Sequence, residues 1–324
     1  MGYIIHIFLA VHVADIVGRK YLEKKAWLFG ILLSIIMDIP SLWGDSLDIY
    51  EREHAHTWSH SLFAILLYCL IIMGLSFLRK KDPFSLVRIA IPVCSIHLLF
   101  DFLTTNGLPL FFPFSESLFG WDVISRYDII LSTSLCISIF FMYRFPRIVK
   151  SKYTLFFLLC YLLSSIGITL QAQTSVAPIL SQMGFSTSHI HITSPSIIFP
   201  LRRICVKDEN RRFAVAYFSP FSPRPPRVFV RETIENPQTM LLLQSDIGQR
   251  LLQISSSMIF MERLDNRYLF SDIRFGGFRD IWESPLRIQS ILEKGLAHPL
   301  EHISFYSKTP LLDELQEGWH FVFP

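Results

Sequence analysis

Cysteine is sparse and scattered in this chain. Among 324 residues there are five, Cys69, Cys94, Cys136, Cys160 and Cys205, with no CxxC pair. Isolated thiols of this kind exclude a disulfide framework and a thiolate zinc site, and they read as small buried hydrophobes. Charge is also scarce: 18% of residues are Asp, Glu, Lys or Arg, and the net charge is +3. No basic run is interleaved with aromatics, so nucleic acid is not an expected partner. The N-terminal apolar segment lacks a basic leading region and a small-residue cleavage site, which argues against a removable signal peptide. No internal repeat or low-complexity segment is evident. Thr57 and Ser61 stand beside histidines, but no strand–turn–helix elbow surrounds them to make a serine nucleophile.

What the chain has in excess is apolar surface. Hydrophobic residues make up 51% of it and the mean hydropathy is +0.39. The excess is concentrated before residue 171, in runs at 3–18, 26–44, 61–78, 87–104, 128–143 and 153–170. Most of these runs hold roughly 16–19 residues, near the lower limit for crossing a bilayer. The connections between them alternate in charge. Arg19, Lys20, Lys24 and Lys25 follow the first run; Arg79, Lys80, Lys81 and Arg88 follow the third; Arg144, Arg147, Lys150 and Lys152 follow the fifth. Residues 45–59 and 105–127 each hold a single basic residue, Arg52 and Arg126. The excess of Lys and Arg on cytoplasmic loops places the first, third and fifth connections inside, and both termini outside.

Past Gln171 the composition changes. Arg211–Tyr217 and Arg227–Arg231 alternate as strands do, Ser219–Pro226 is a Pro-rich break, 238–256 reads as an amphipathic helix, and Tyr268–Phe275 reads as a strand. The expected architecture is a polytopic α-helical membrane bundle of about six spans over residues 1–171. A soluble, extracytoplasmic, strand-rich α+β domain follows over 172–324.

The polar residues of the apolar half converge on one expected membrane face. His97 and Asp101, in Ser95-Ile-His97-Leu-Leu-Phe-Asp101, share one side of a helix a turn apart. An ionisable pair inside such a segment marks function by default, and imidazole with carboxylate is ligand chemistry for zinc or a similar ion. The alternative is a hydrogen-bonded pair that pins two helices. Glu53-His54-Ala-His56-Thr-Trp58-Ser-His60-Ser61 adds a second cluster. His56 and His60 form another i, i+4 pair if a helix begins by Ala55; the alternative is a pH-responsive or solvated loop. Asp38, just before Pro40, is a ligand or a helix-ending Asp–Pro turn. Asp128 is a general base or a helix N-cap. His6 is a ligand or an interfacial snorkelling side chain. His12 and Asp15 lie deeper or on another face. In the outer domain, His189 and His191 read as exposed decoration of a strand, and Asp272 with Arg274 as a strand-end ion pair.

These residues resemble a known family. The order His6, Asp38 at a helix end, Trp58-Ser-His60-Ser61-Leu, His97-Leu-Leu-Phe-Asp101 with Thr104-Thr-Asn-Gly107, Phe112-Pro-Phe-Ser115 and Gly120-Trp121-Asp122 is similar to the YdjM-type family. That family comprises inner-membrane proteins regarded as metal-dependent hydrolases. The resemblance covers about residues 1–135, and the tail is similar to the longer YfhP-like members. It implies metal ligands at His6, Asp38, His60, His97 and Asp101. Met37 stands where the family pattern has the proline of Pro-Asp, and Pro40 where it has a second aspartate. Ala55-His56-Thr57 replaces His-Arg-Gly, which leaves His54 or His56 as the upstream histidine.

The resulting expectation is a multi-pass protein of the bacterial inner membrane with its C-terminal domain outside the cytoplasm. It would hold a divalent metal, zinc by first choice, with His56 or Asp128 as general base in the hydrolysis of phosphoesters. A site at the membrane boundary, in contact with the lipid bilayer, suits an amphiphilic or lipid-linked substrate. The alternative is a non-enzymatic membrane protein with a structural metal, whose outer domain binds an envelope partner. A transporter fits less well, because runs three, five and six are too apolar for a polar path.

Overall fold

The computed structural model describes residues 2–42, 59–78, 82–104, 107–125, 128–145, 151–194, 200–223, 225–264, 267–274, 286–293, 296–297 and 302–305. The chain divides into two compact units, one of Met1–Trp121 with Arg126–Leu163 and one of Asp122–Ser125 with Ser164–Pro324. The helices are α1 (Gly2–Leu22), α2 (Ala26–Leu42), α3 (Leu62–Leu78), α4 (Pro83–Phe102), α5 (Ile129–Arg144) and α6 (Ser151–Gln182). Two further helices, α7 (Pro237–Gln244) and α8 (Asp246–Ile254), lie among the strands of the second unit.

The apolar runs form helices, but the expectation of six spans is corrected. By length and composition α4 and α6, with 20 and 32 residues, are long and apolar enough to cross a membrane. Helices α2, α3 and α5 have 17, 17 and 16 residues. Their rise of about 24–26 Å falls short of a hydrocarbon core of about 30 Å. Helix α1 carries Arg19 and Lys20 in its last turn. The cysteines also split: Cys69, Cys94 and Cys205 are buried as expected, whereas Cys136 and Cys160 are exposed on the apolar helices α5 and α6.

Helices α1 and α2 form an antiparallel hairpin across a single 3-10 turn, Glu23–Lys25. Small residues set its register. A Cβ on Gly18 would lie 2.8 Å from Ala26 Cβ, and one on Gly30 would lie 2.7 Å from Ala14 Cβ and 2.5 Å from the Ala10 carbonyl oxygen. Such close backbone approach is how helices pack where lipid competes equally for apolar side chains. Stepping four residues from Gly18 and Ala26 reaches Ala14 and Gly30; eight more reach His6 and Asp38. The hairpin register therefore brings His6 to Asp38.

Helix α4 starts with Pro83 at N1 behind Asp82, whose carboxylate accepts from Phe84 N at 3.1 Å. It packs through Ile89, Ala90 and Val93 into a core shared with Ala10, Ala14 and Leu33. At its far end Leu108 and Phe119 exchange two backbone hydrogen bonds, and Trp121 N donates to Phe102 O at 2.7 Å. These bonds close a loop on itself beyond α4. Gly107 at φ +65 starts it, and Gly107 and Gly120 touch so closely that a Cβ on Gly120 would meet Gly107 Cα at 2.8 Å.

In the second unit the antiparallel order is β1-β2-β3-β4 for His191–Thr193, Arg202–Lys207, Arg212–Phe218 and Arg227–Glu232. A second sheet orders β5 (Ile259–Leu264), β6 (Arg267–Asp272), β7 (Leu286–Glu293) and β8 (Leu296–Ala297), with β9 (His302–Phe305) pairing β7. Strand β3 shows period-two burial on both faces. Ala214, Ala216 and Phe218 join Ala172, Val176 and Leu180 of α6, while Phe213, Val215 and Tyr217 join Met258, Phe260 and Ile273. The amphipathic stretch 238–256 is two helices, because Ser245 breaks the run and caps the second by accepting from Gly248 N at 3.2 Å. Asp272 and Arg274 form the expected ion pair, with Nη2 donating to Oδ2 at 2.8 Å, and both are buried.

Replacing Gly30 by Val puts a branched side chain where even one carbon does not fit. Gly30→Val is expected to cost about 1–3 kcal/mol, read as a lowered unfolding temperature of the detergent-solubilised chain.

Candidate metal centre

Three separate structural devices bring the donor residues together. The hairpin register places His6 and Asp38. The i, i+4 spacing of α4 places His97 and Asp101, and α4 ends at Phe102, one residue after Asp101, whose carbonyl accepts from Thr104 Oγ1 at 2.8 Å. His60 is placed by neither. It sits at a bend just before α3, and the loop beyond α4 fixes that entry: Leu110 O accepts from Leu62 N at 3.0 Å. Ser61 then caps α3 by accepting from Ala64 N at 3.1 Å.

The resulting cluster is closed off from solvent. His60 is 0% exposed, His97 1%, Asp38 2%, Asp101 4% and His6 8%. Met37 and Leu98, next in sequence to Asp38 and His97, belong to a buried apolar cluster with Cys94 and Leu108. Two imidazole nitrogens stand close to each other and to one oxygen of each carboxylate. His60 Nε2 lies 3.1 Å from His97 Nε2, 3.4 Å from Asp38 Oδ1 and 3.5 Å from Asp101 Oδ2. His97 Nε2 lies 3.4 Å from Asp38 Oδ1 and 3.6 Å from Asp101 Oδ2. A tetrahedral zinc with bonds of about 2.0–2.1 Å sets its ligand atoms about 3.3–3.4 Å apart. These separations fit that figure on all five edges given, and the donor set, two imidazoles and two carboxylates, suits zinc or a similar divalent ion. A divalent charge also offsets the cost of burying two carboxylates.

The other ring nitrogens of His60 and His97 are held from behind. Ser59 Oγ lies 2.6 Å from His60 Nδ1, and Ser34 Oγ lies 3.4 Å from His97 Nδ1. Fixing Nδ1 orients the ring and leaves Nε2 for an ion. Sequence reasoning missed both serines. Ser34 was discoverable, since it interrupts an apolar run one turn before Asp38 on the same face of α2.

The other residues singled out from sequence separate as follows. Asp38 lies within α2, which continues to Leu42, so no Asp–Pro turn ends the helix there. His54 and His56 lie outside the described residues. Asp128 is the N-cap of α5: its Oδ1 accepts from Leu131 N at 2.9 Å and its Oδ2 from the Tyr161 hydroxyl. Among the described residues it belongs to neither donor group, which are His6–Asp38–His97 and His60–His97–Asp101. His12 is buried on α1 outside these groups. Asp122, at the end of the Gly120-Trp121-Asp122 stretch, groups with the second unit; burial pushes its carboxyl up to about 7 against the opposing pull of Arg274. His189 is exposed in a turn and His191 opens β1.

The first unit is thus an apolar helical assembly around a buried His–Asp cluster of divalent-cation type. The model of the YdjM inner membrane protein family matches residues 1–173, more than half of the chain, and the protein belongs to that family. No curated protein and no solved structure matches it.

Asp128→Ala removes a cap and is expected to cost about 0.5–2 kcal/mol of stability while leaving metal content unchanged. Unfolding temperature and elemental analysis of the same preparation check both halves.

Proposed function

We propose that the protein is a membrane-bound, divalent-metal-dependent hydrolase that acts on phosphoesters of lipid-like substrates. The observation that carries this reading is the set of distances, 3.1–3.6 Å, of His60 Nε2 and His97 Nε2 from each other and from Asp38 Oδ1 and Asp101 Oδ2. These four residues would hold the ion, zinc by first choice. When bound, such an ion supplies Lewis acidity toward a scissile phosphoryl oxygen and toward a water nucleophile. The chain's own groups do the rest. Ser34 and Ser59 fix the two rings, and the four donors are buried. His56, one helical turn before His60 in sequence, is the proton acceptor in this reading, since Asp128 is engaged in capping.

Location supports an amphiphilic substrate. The loop whose Leu110 holds the entry to α3 exposes Phe111, Phe114 and Trp121, and Phe63 follows on α3 itself. Aromatic side chains of this kind sit at the membrane–water boundary. In the proposed topology the basic residues before α4 lie in the cytoplasm, and the donors at the far end of α4 lie on the opposite face of the bacterial inner membrane.

A second reading rests on the same distances. Four protein donors at tetrahedral spacing are the pattern of a structural zinc, whereas a catalytic ion keeps a position open. On that reading the protein is not an enzyme and its second unit binds an envelope partner.

Elemental mass spectrometry of the detergent-purified full chain, beside the His97→Ala/Asp101→Ala double variant, tests the site. At least one zinc or manganese per chain, lost in the double variant, is the expected result. Absence of metal from folded wild type after zinc loading overturns both readings. Vanadate added to the cobalt-loaded chain separates them: a changed visible spectrum marks an exchangeable position, and an unchanged one favours the structural ion. In a separate check of topology, alkaline phosphatase fused after Leu103 is expected to be active, and fused after Arg79 inactive.

A further inference from the structure

His6 occupies a different place from the four inner donors. Its Nε2 lies 3.3 Å from Asp101 Oδ1, and its Nδ1 lies 3.8 Å from Asp38 Oδ2. Those are the outer oxygens of both carboxylates. The inner oxygens, Asp38 Oδ1 and Asp101 Oδ2, are the ones 3.4–3.6 Å from the Nε2 atoms of His60 and His97. The His6 ring thus lies behind the two aspartates, with a different nitrogen toward each. It also packs on the His97 ring, with centroids 4.0 Å apart and the planes tilted by 49°. An imidazole binds one ion through one nitrogen, so a ring whose two nitrogens face two carboxylates is placed to orient them.

We infer that His6 is a positioning residue: its Nε2 holds the outer oxygen of Asp101 at 3.3 Å, its Nδ1 edge stands 3.8 Å from the outer oxygen of Asp38, and the ring wedged there keeps both carboxylates turned so that their inner oxygens face His60 and His97. This rests on the metal reading above. It assigns His6 a role outside the inner donor set, in place of the ligand role that the family resemblance implies. The arrangement needs all three elements, because His6 is on α1, Asp38 on α2 and Asp101 on α4. Partners one step behind the ligands fix ligand geometry, and losing one weakens metal affinity by about 10–100-fold without removing the site.

Cobalt(II) alone, titrated into the full chain in detergent, is the probe, with affinity, stoichiometry and the visible band as readouts. The variants are His6→Ala, His6→Gln and His60→Ala. His6→Ala is expected to keep the wild-type stoichiometry and a four-coordinate band, shifted in wavelength, with affinity weakened by about 10–100-fold. His6→Gln keeps an amide N–H that can reach Asp101 Oδ1, and is expected to recover most of the affinity. His60→Ala is expected to lose the band. If both His6 variants lose the band as His60→Ala does, His6 is an inner ligand and the inference is overturned. Wild-type affinity in His6→Ala also overturns it. A wild-type chain that binds no cobalt fails the metal reading itself, which distinguishes the two failures. If His6→Ala elutes as aggregate, His6→Gln decides: bound cobalt with a shifted band supports the inference, and a lost band overturns it.

Discussion

Two carboxylates and three imidazoles share a nearly dry space inside an apolar helical unit, and much of that unit's geometry is arranged around this fact. Burying a carboxylate costs several kcal/mol unless its charge is met. Asp38 and Asp101 are 2% and 4% exposed. A divalent cation held by the converging donors would match that charge. A fold built only to pack apolar helices has no use for this group, since the hairpin of α1 and α2 already closes through Gly18, Ala14, Gly30 and Ala26.

The same elements that pack the unit also set the cluster's dimensions. Close approach of α1 and α2 fixes which residues of the two helices face each other. The helical period of α4 fixes the separation of His97 and Asp101. The loop from Gly107 to Trp121 returns to the end of α4 and holds the first residues of α3 by a backbone bond, so His60 depends on a segment that is distant in sequence. Each donor is thus set by backbone geometry before any side-chain preference acts. The serines at 34 and 59 then choose the direction of the imidazoles.

What was legible in the sequence followed from periodicity. His97 and Asp101 were readable because a single helix fixes their spacing, and β3, β4 and β6 because short runs rich in Val, Phe and Tyr mark strands. His60 was found as a residue, but not its support, because the bond from Leu110 to Leu62 is long-range. Asp38 beside Pro40 left open a turn that α2 does not make. The number of spans was overread because apolar composition signals burial or membrane equally, and three runs form helices too short to cross without thinning of the bilayer. Residues 238–256 read as one helix because the apolar period passes through Ser245 unchanged, whereas the backbone breaks there to use its hydroxyl as a cap. Asp128 was read with two roles, and its oxygens are engaged in the capping one.

Donor number and donor type point in different directions at this centre, and donor type has the greater weight. Four protein ligands at tetrahedral spacing suggest a closed structural ion. Structural zinc, however, is mostly built from thiolates, whereas hydrolytic zinc is built from imidazole and carboxylate. The chain has a thiol at hand in Cys94, fully buried one turn before His97 on α4, and among the described residues it belongs to the apolar cluster and not to the donor groups. Carboxylates also bind through one oxygen or two, so an aspartate ligand can yield a position without leaving the ion. A shell with two such ligands can open for a substrate oxygen in a way that a thiolate shell cannot. That asymmetry in ligand chemistry is the reason the hydrolase reading is placed ahead of the structural one.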